Sequence, residues 1–501
     1  MSLSWLKNVA ELDGNYNTEV HGNISPAEIR AGEPIRAVLS TVINSDIVSK
    51  EVRVWRISPL GVEVVLPPEF QDVQIGQAFD VELTVGRVVS KLQGITATAK
   101  HTEMDRQILG LRLCMKAEAN WSGDDRRDTQ RWMTSREFMP SGVCANPGKF
   151  NDFIYFKITN ISSGGMQIST SLRNKFIVPG IRLEATVSFP LTGQIRIFFE
   201  TINSSMKSED GREYLSLGCK FIRPSKQAIE VISQYLFQFG PPISLKEMKD
   251  NKLVPSNSIS GIEFRYVRTK DEYDQVLDLR RMAYGGAGKL AAGEDVSDIY
   301  DARSRIVIGT YKGTVIASTR LIFNEQTDQM EHEQFVSFPD FIPRKDEICE
   351  ITRVCLHPEF RGSEILLGLF RFLGITVAQS GRRYILGCAT DQLLPMYLRI
   401  GFRDTKIKFS HKNLNNLEHT IFLCDIVKGL SGKGVNPIVW NVVWSPVTSY
   451  LTERHILEYD LMSTVRIGLY RLLAPLSFFL ERASKKPSKR VPKKKDSAPS
   501  H

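Results

Sequence analysis

Glu350-Ile-Thr-Arg353-Val-Cys-Leu-His357-Pro358-Glu-Phe-Arg361-Gly362-Ser363-Glu364 reads as a strand, a Pro-marked loop and the start of a helix that continues to Gln379. Working outward, a helix is expected over Tyr273–Tyr284, carrying Arg280 and Arg281. Asp298-Ile-Tyr-Asp301 precedes the strand-like run 304–311, and a turn leads to a second run, Val315–Ile322, with Arg320 inside it. After the helix come the strand 384–390 and the segment Met396-Tyr397-Leu-Arg-Ile-Gly401-Phe402. Strands alternating with helices from about 262 to 430 predict an α/β (α+β) domain. Glu350 and Arg353 are an odd number apart, so a regular strand would send them to opposite faces. They share a cleft only if the strand is bulged between them.

These residues, in this order, resemble the Gcn5-related N-acyltransferase (GNAT) fold, and within it the branch of LuxI-type autoinducer synthases and FeeM-type N-acyl amino acid synthases. The resemblance implies an N-acyltransferase. Arg281 (or Arg280), Asp298, Asp301, Arg320, Glu350 and Arg353 fall on the charged positions of that pattern. By this likeness Arg281, Asp298, Asp301, Arg361 and Gly362 bind substrate, while Glu350, Arg353, Arg320 and Tyr397 form the catalytic set. An amine attacking a thioester must lose a proton, and Glu350 is the candidate base. Arg353 or Arg320 would hold an acceptor carboxylate, and Tyr397 would protonate the leaving thiolate. Arg361-Gly362-Ser363-Glu364 lacks the later glycines of a pyrophosphate loop and puts a glutamate where phosphate would approach. That implies acyl carrier protein as donor ahead of acyl-CoA. Simpler readings stand beside these. Glu350 and Arg353 also fit a structural ion pair in an inactive fold, Asp298 and Asp301 fit caps, and Tyr397 and His357 fit structural roles.

Upstream, Arg126-Arg127-Asp128-Thr129-Gln130-Arg131 is followed by Asn160-Ile-Ser162-Ser-Gly164-Gly165. Guanidinium forks grip phosphates and the guanine edge, and glycine lets backbone approach a ligand closely. Two arginines four apart and an Asn-x-Ser-x-x-Gly turn resemble the PilZ domain, which implies cyclic di-GMP bound by Arg126, Arg127, Arg131, Asn160, Ser162 and Gly165. The competing reading of the arginines alone is a solvated charge run. The pattern repeats. Ile57–Val64 parallels Ile161–Ile168, and Gly76 and Gly180 each lie fifteen residues beyond the motif glycine. The first copy has Arg56 where the second has Asn160, with no RxxxR upstream. Two all-β PilZ-like barrels are expected, a degenerate one over 36–120 and a competent one over 121–245. An N-terminal extension (1–35), a linker (246–261), the acyltransferase-like domain (262–430), an apolar segment (431–482) and a basic tail (483–501) complete a multidomain chain.

Of the net charge of +9, eight Lys/Arg against two acids from Glu481 onward supply +6. The basic character is therefore that of a tail, and no nucleic-acid partner is expected. Seven scattered cysteines without CxxC argue for reduced thiols. No signal peptide and no uninterrupted apolar run of transmembrane length is visible. The stretch 436–446, with Trp440 and Trp444, suits a fatty-acyl channel or lipid contact. Met462–Arg482 and the basic run after it read either as an interfacial helix on anionic lipid or as a packed helix with a solubilising tail. The expected setting is the cytoplasm or the periphery of the inner membrane. The functional expectation is a cyclic di-GMP-responsive N-acyltransferase moving a fatty-acyl group from acyl carrier protein to a small amine or amino acid. The alternative is a non-catalytic receptor whose GNAT-like domain binds lipid or a partner.

Overall fold

The computed structural model describes residues 35–43, 46–58, 61–85, 88–113, 129–148, 151–174, 177–209, 211–285, 296–361, 363–411, 414 and 416–473. Two compact units divide between Ser258 and Ile259. The first is built on β-sheet and the second is α+β.

In the first unit, β1 (Ile35–Ile43), β2 (Asp46–Val52), β3 (Val54–Ser58), β4 (Gly61–Val65), β5 (Ala78–Val85), β6 (Val88–Glu103) and β7 (Arg106–Arg112) form one sheet. A second sheet comprises β8 (Trp132–Met133), β9 (Ser141–Ala145), β10 (Phe153–Ile161), β11 (Gly165–Thr170), β12 (Arg182–Phe189), β13 (Gly193–Glu209) and β14 (Arg212–Phe221). The strands alternate buried apolar and exposed polar residues, as a sheet with one packed face requires. In the second sheet β10 pairs with both β9 and β11, which closes β10-β11-β14-β13-β12-β9 into a barrel. The first sheet has the order β2-β1-β5-β6-β7-β4-β3. Those two end strands are one stretch of chain interrupted only at Arg53: β2 pairs with β1 and β3 with β4, as β10 pairs with β9 and with β11, so the first copy has the strand order of the second.

The repeat is kept to single-residue register. Arg56 pairs with Glu63 and Asn160 with Gln167, each just past a bulge. A second bulge sits before Ala99, opposite Gly110, and again before Asn203, opposite Gly218. Helix α1 (Lys226–Phe239), capped by Ser225 Oγ accepting from Ala228 N at 3.1 Å, lies on β12 and β13. The segment expected as a linker instead folds in part as α2 (Leu245–Asp250), with Met248 and Leu253 buried. Asn251 accepts from Gln130 N (2.9 Å) through its side chain and from Ser163 Oγ (2.8 Å) through its carbonyl.

The second unit is one sheet in the order β15 (Glu263–Tyr266), β16 (Arg305–Tyr311), β17 (Thr314–Phe323), β18 (Ile348–Leu356), β19 (Tyr384–Thr390), β21 (Leu417–Asp425), β20 (Arg403–His411). Every pairing is antiparallel except β18–β19. Helix α3 (Lys270–Gly285) covers one face, with Val276 and Leu279 on Ile306, Ile308 and Val315. Helix α4 (Ser363–Gln379) covers the other, with Leu369, Leu373 and Val377 on Val307, Leu321 and Ile351. Gly368 is what lets α4 lie close, since a Cβ there would come within 2.7 Å of the Phe264 ring. The short α5 (Leu394–Arg399) and α6 (Ile426–Ser431) follow β19 and β21. A π-helical turn, Trp440–Trp444, leads into α7 (Ser445–Glu453), which packs on α4. Trp440 and Trp444 are therefore core residues, not the lining of an acyl channel or a lipid contact. Finally, α8 (Leu461–Leu472) docks through Ile467 and through Tyr470, whose hydroxyl donates to the carbonyls of Gly432 and Val435. Its opposite face presents Leu461, Met462, Val465, Leu469 and Leu472 outward. Among the described residues no helix is long and apolar enough to cross a membrane. The extension 1–34 and the segment 474–501 lie outside the described residues.

Candidate active site and nucleotide site

Strands β18 and β19 pair only from Ile348↔Tyr384 to Glu350↔Leu386, although both run on, to Leu356 and Thr390. Beyond Glu350 they part. Two features pull β18 away. A bulge against β17 falls between Thr352 and Cys355, and Arg353 sits there in the left-handed region at φ 53°. The notch is a cavity of about 100 Å³. Its walls include Ile351, Thr352, Arg353 and Val354 from β18 and Cys388, Ala389 and Thr390 from β19. Tyr284, Glu331, His332, Tyr397, His411 and His419 also line it.

The bulge brings Arg353 into a buried charge network. Arg320, fully buried, donates Nε–H to Thr352 Oγ1 (2.9 Å) and pairs with Asp298, with Asp301 (2.9 Å) and with Glu331 (2.7 Å). Arg280 grips Asp301 bidentately at 2.7 and 3.0 Å, with Tyr273 Oη donating to the same carboxylate at 2.9 Å. Arg353 reaches Asp298 at 2.9 Å. Three guanidiniums meet three carboxylates, so the cluster balances its charge. Burial pushes Asp298 up, but Arg320 and Arg353 pull it down more strongly, to about 2. Asp298 also accepts from Tyr300 N at 2.9 Å, so it caps a turn as well as bridging the arginines. The arginine on α3 that joins the network is Arg280; Arg281 is exposed and pairs along the helix with Asp278. Helical spacing carries the distinction, because Arg280 is four residues after Val276 and falls on the buried stripe.

Glu350 is fully buried and is not among the residues that line the notch. It accepts from Asn324 Nδ2 (3.0 Å), Glu331 N (3.1 Å) and His332 N (2.9 Å), and pairs with His332 Nδ1. A carboxylate so occupied has no room for a substrate proton. Its partner His332 lines the cavity and lies in the irregular stretch between β17 and β18, where no periodicity marks it. Burial pushes His332 down, but Cys388 and Glu350 beside it win and hold it well above an ordinary imidazole. Tyr397 lines the cavity yet stacks on Phe422 with centroids 4.2 Å apart, and burial pushes its phenol up. Two cavity groups lack partners. Arg353 Nε and His411 Nδ1 are buried with no hydrogen bond, and burial drives His411 down to about 3. Arg361 is exposed after β18, and Gly362 lies outside the described residues. Among those residues no group of His, Cys, Asp and Glu is placed to hold a metal ion.

In the first unit, β8–β10 pairing sets Trp132 opposite Ile161 and so brings Arg131 to the motif turn. Ser162 Oγ accepts from Gly164 N and Gly165 N at 3.2 Å. A Cβ on Gly165 would stand 2.3 Å from Cys219 O and 3.1 Å from Arg131 Nη2, so only glycine fits beneath that guanidinium. Asn160 Nδ2 donates to Gln167, while its Oδ1 is buried without a partner. Arg131, Asn160, Ser162 and Gly165 thus meet at one barrel end; Arg126 and Arg127 lie outside the described residues. In the first copy the equivalent pair is charged. Arg56 is held by buried Glu63 (3.1 Å) and by Glu103 (2.7 Å).

Residues 275–420 match the family model of the N-acyl amino acid synthase FeeM. The match holds Arg353 and most of the notch, His332, Glu350 and the three arginines and three carboxylates of the charge network. No curated protein matches the chain. Among solved structures, FeeM from uncultured soil microbes is 10% identical, covering 38% of this chain and 97% of that one at a TM-score of 0.28. The AHL synthase LasI is 16% identical over 33% of this chain and 89% of its own, at 0.27. The K. pneumonia MrkH–c-di-GMP complex is 16% identical over 41% and 88%, at 0.20.

Proposed function

We propose that the second unit is an N-acyltransferase that moves a fatty-acyl group from a thioester onto the amine of a small acceptor carrying a carboxylate, such as an amino acid. The observation that carries this reading is the notch itself. It is a gap between two diverging strands, with a buried His–Glu pair on one side and a partnerless guanidinium nitrogen on the other, inside the segment that matches an N-acyl amino acid synthase model. Strand edges that have parted leave amide groups free to pair with the two amides of a pantetheine arm, leading the thioester inward. The attacking amine must shed a proton, and His332, oriented by Glu350, handles it. Of the two arginines considered for the acceptor carboxylate, Arg320 spends its guanidinium on protein partners, whereas Arg353 keeps Nε available. Glu364, in the first turn of α4, opposes a pyrophosphate at that helix end and favours acyl carrier protein over acyl-CoA as donor.

Cyclic di-GMP is the proposed ligand of the first unit, through Arg131, Asn160, Ser162 and Gly165 with Arg126 and Arg127. The partnerless Asn160 oxygen and the guanidinium lying over Gly165 support it. The outward apolar face of α8, followed in sequence by the basic tail, supports peripheral attachment to an anionic lipid surface. A second reading, a receptor without catalysis, draws on the cavity's volume of about 100 Å³, which takes reacting groups but no acyl chain.

The deciding experiment is mass spectrometry of lipid extracts from bacteria expressing the wild-type chain, Arg353→Met or His332→Gln. A new N-acylated species made by wild type and lost in both variants supports the enzyme and names its acceptor. Extracts identical to the empty host, with folded protein and cyclic di-GMP supplied, favour the receptor.

A further inference from the structure

The motif at the end of the second barrel is fastened to a residue that lies outside it. Asn251 ends α2. Its Oδ1 accepts from Gln130 N at 2.9 Å, one residue before Arg131, and its carbonyl accepts from Ser163 Oγ at 2.8 Å, inside the Asn-x-Ser-x-x-Gly turn. Ser163 is 7% exposed and stands at one of the unspecified positions of that turn, so its hydroxyl is committed to protein. Asn251 is itself held. Its Nδ2 donates to Glu247 O at 3.0 Å, and its backbone N–H to the same carbonyl at 3.1 Å. The arginine side and the turn side also meet directly, since a Cβ on Gly164 would stand 3.3 Å from Thr129 Oγ1.

The tie continues along the chain from Asn251. Lys252 is in the left-handed region at φ 63°, a setting that persists for a residue other than glycine only where its surroundings fix it. Leu253 is fully buried, and its N–H donates to Met248 O at 2.8 Å. Val254 N donates to Ser233 Oγ (3.0 Å) on α1. Gln234, next on that helix, accepts from Asn257 N (2.8 Å) and donates Nε2–H to the Asn257 carbonyl (2.9 Å). All of these residues belong to the first unit, whose last residue is Ser258. The segment 244–258 is thus hydrogen-bonded step by step from the motif to the end of the unit.

A ligand gripped by Arg131 on one side and by Asn160, Ser162 and Gly165 on the other needs those two sides at a fixed spacing. Asn251 sets that spacing before a ligand arrives, which lowers the ordering cost of binding. Linkage makes the effect reciprocal: whatever docking of 244–258 adds to binding, binding adds to docking.

We infer that Asn251 is a positioning residue of the nucleotide site, and that cyclic di-GMP fastens 244–258 to the barrel, so that this segment reports the ligand along the chain. The inference rests on the cyclic di-GMP reading and deepens it. Asn251 acts through Gln130 and Ser163, without touching the nucleotide.

The test is hydrogen exchange of the full-length chain with and without cyclic di-GMP, read by mass spectrometry beside a calorimetric titration of the same nucleotide. The ligand is expected to slow exchange in peptides from 244–258. Asn251→Ala should weaken binding about 10-fold, the worth of two neutral hydrogen bonds, and should remove the ligand's effect on those peptides. Ser163→Ala, which takes away one of the two contacts and leaves α2 whole, should weaken binding about 3-fold. Wild type that binds the nucleotide with no change in 244–258 overturns the inference and spares the nucleotide reading, as does wild-type affinity in Asn251→Ala. Wild type that takes up no cyclic di-GMP overturns both. The protection is read on wild-type protein, so a poorly folding variant does not blunt the test.

Discussion

Glu350→Gln tests the assignment of Glu350 to positioning. The carboxylate has four donors around two oxygens, and glutamine offers an oxygen to only one pair. Whichever way the amide turns, two buried N–H groups face another donor. At about 1–3 kcal/mol for each orphaned donor, and with a buried charge left unpaired, the loss comes to about 3–5 kcal/mol at pH 6. The pH dependence separates this account from simple misfit. Unfolded His332 titrates near its ordinary 6.5, while the folded wild type holds it well above. Wild-type stability from this pair is therefore complete below 6.5 and drains away as pH rises toward the folded value. Glu350 is shifted the other way: burial pushes it up, His332 overcomes that, and its share is lost only in acid, below its ordinary 4.5. The variant lacks the carboxylate that keeps the imidazolium, so its folded histidine titrates lower. The gap between the two proteins should narrow by up to about 1.4 kcal/mol per pH unit above 6.5. Hydrogen exchange of peptides from 348–390 in full-length protein, across urea at pH 6 and 8, measures both quantities. A loss below about 1 kcal/mol, or a gap that does not move with pH, would refute the reasoning.

Arg320→Met leaves Glu331 without a guanidinium and removes one of two from Asp298 and from Asp301, and should destabilise the second unit by about 3–5 kcal/mol, whereas Arg281→Met, at an exposed helix pair, should stay within about 0.5 kcal/mol; urea unfolding followed by the same exchange compares them. Arg131→Ala should weaken cyclic di-GMP binding roughly 10- to 100-fold by calorimetry, the worth of a charge-assisted contact, while Arg56→Ala leaves it unchanged. Gly165→Ala should abolish that binding, because its Cβ meets Cys219 O at 2.3 Å. Val465→Glu with Leu469→Glu should prevent co-sedimentation with vesicles of mixed phosphatidylcholine and phosphatidylglycerol; sedimentation equal to wild type would remove α8 from the membrane reading.

What could be read from sequence divides along physical lines. The repeat was legible because turn glycines and strand alternation are local, and the replacement of Asn160 by Arg56 in the first copy was visible directly. That Arg56 is consumed by Glu63 and Glu103 was not, since Glu103 comes from a strand 47 residues away. The charged positions of the second unit were found, but their division of labour was not. Arg320 looked like a ligand for substrate and is saturated by protein, and Glu350 looked like a base and is surrounded by protein donors. His332 had no signal, because it sits in an irregular segment between two strands and gains its neighbours only when that segment folds back over β18. Trp440 and Trp444 were read by character alone, and aromatic runs suit cores as well as lipid.

The two copies in the first unit keep both bulges at matching positions. A slipped register would turn every core side chain outward, so selection for folding alone is enough to preserve that frame. The ligand grip is under no such constraint, because exchanging Asn160–Gln167 for Arg56–Glu63 swaps one cross-strand pair for another of similar reach. On the proposed reading of the second copy, the two copies differ in their capacity for a ligand at a few side-chain positions while the strand register stays the same.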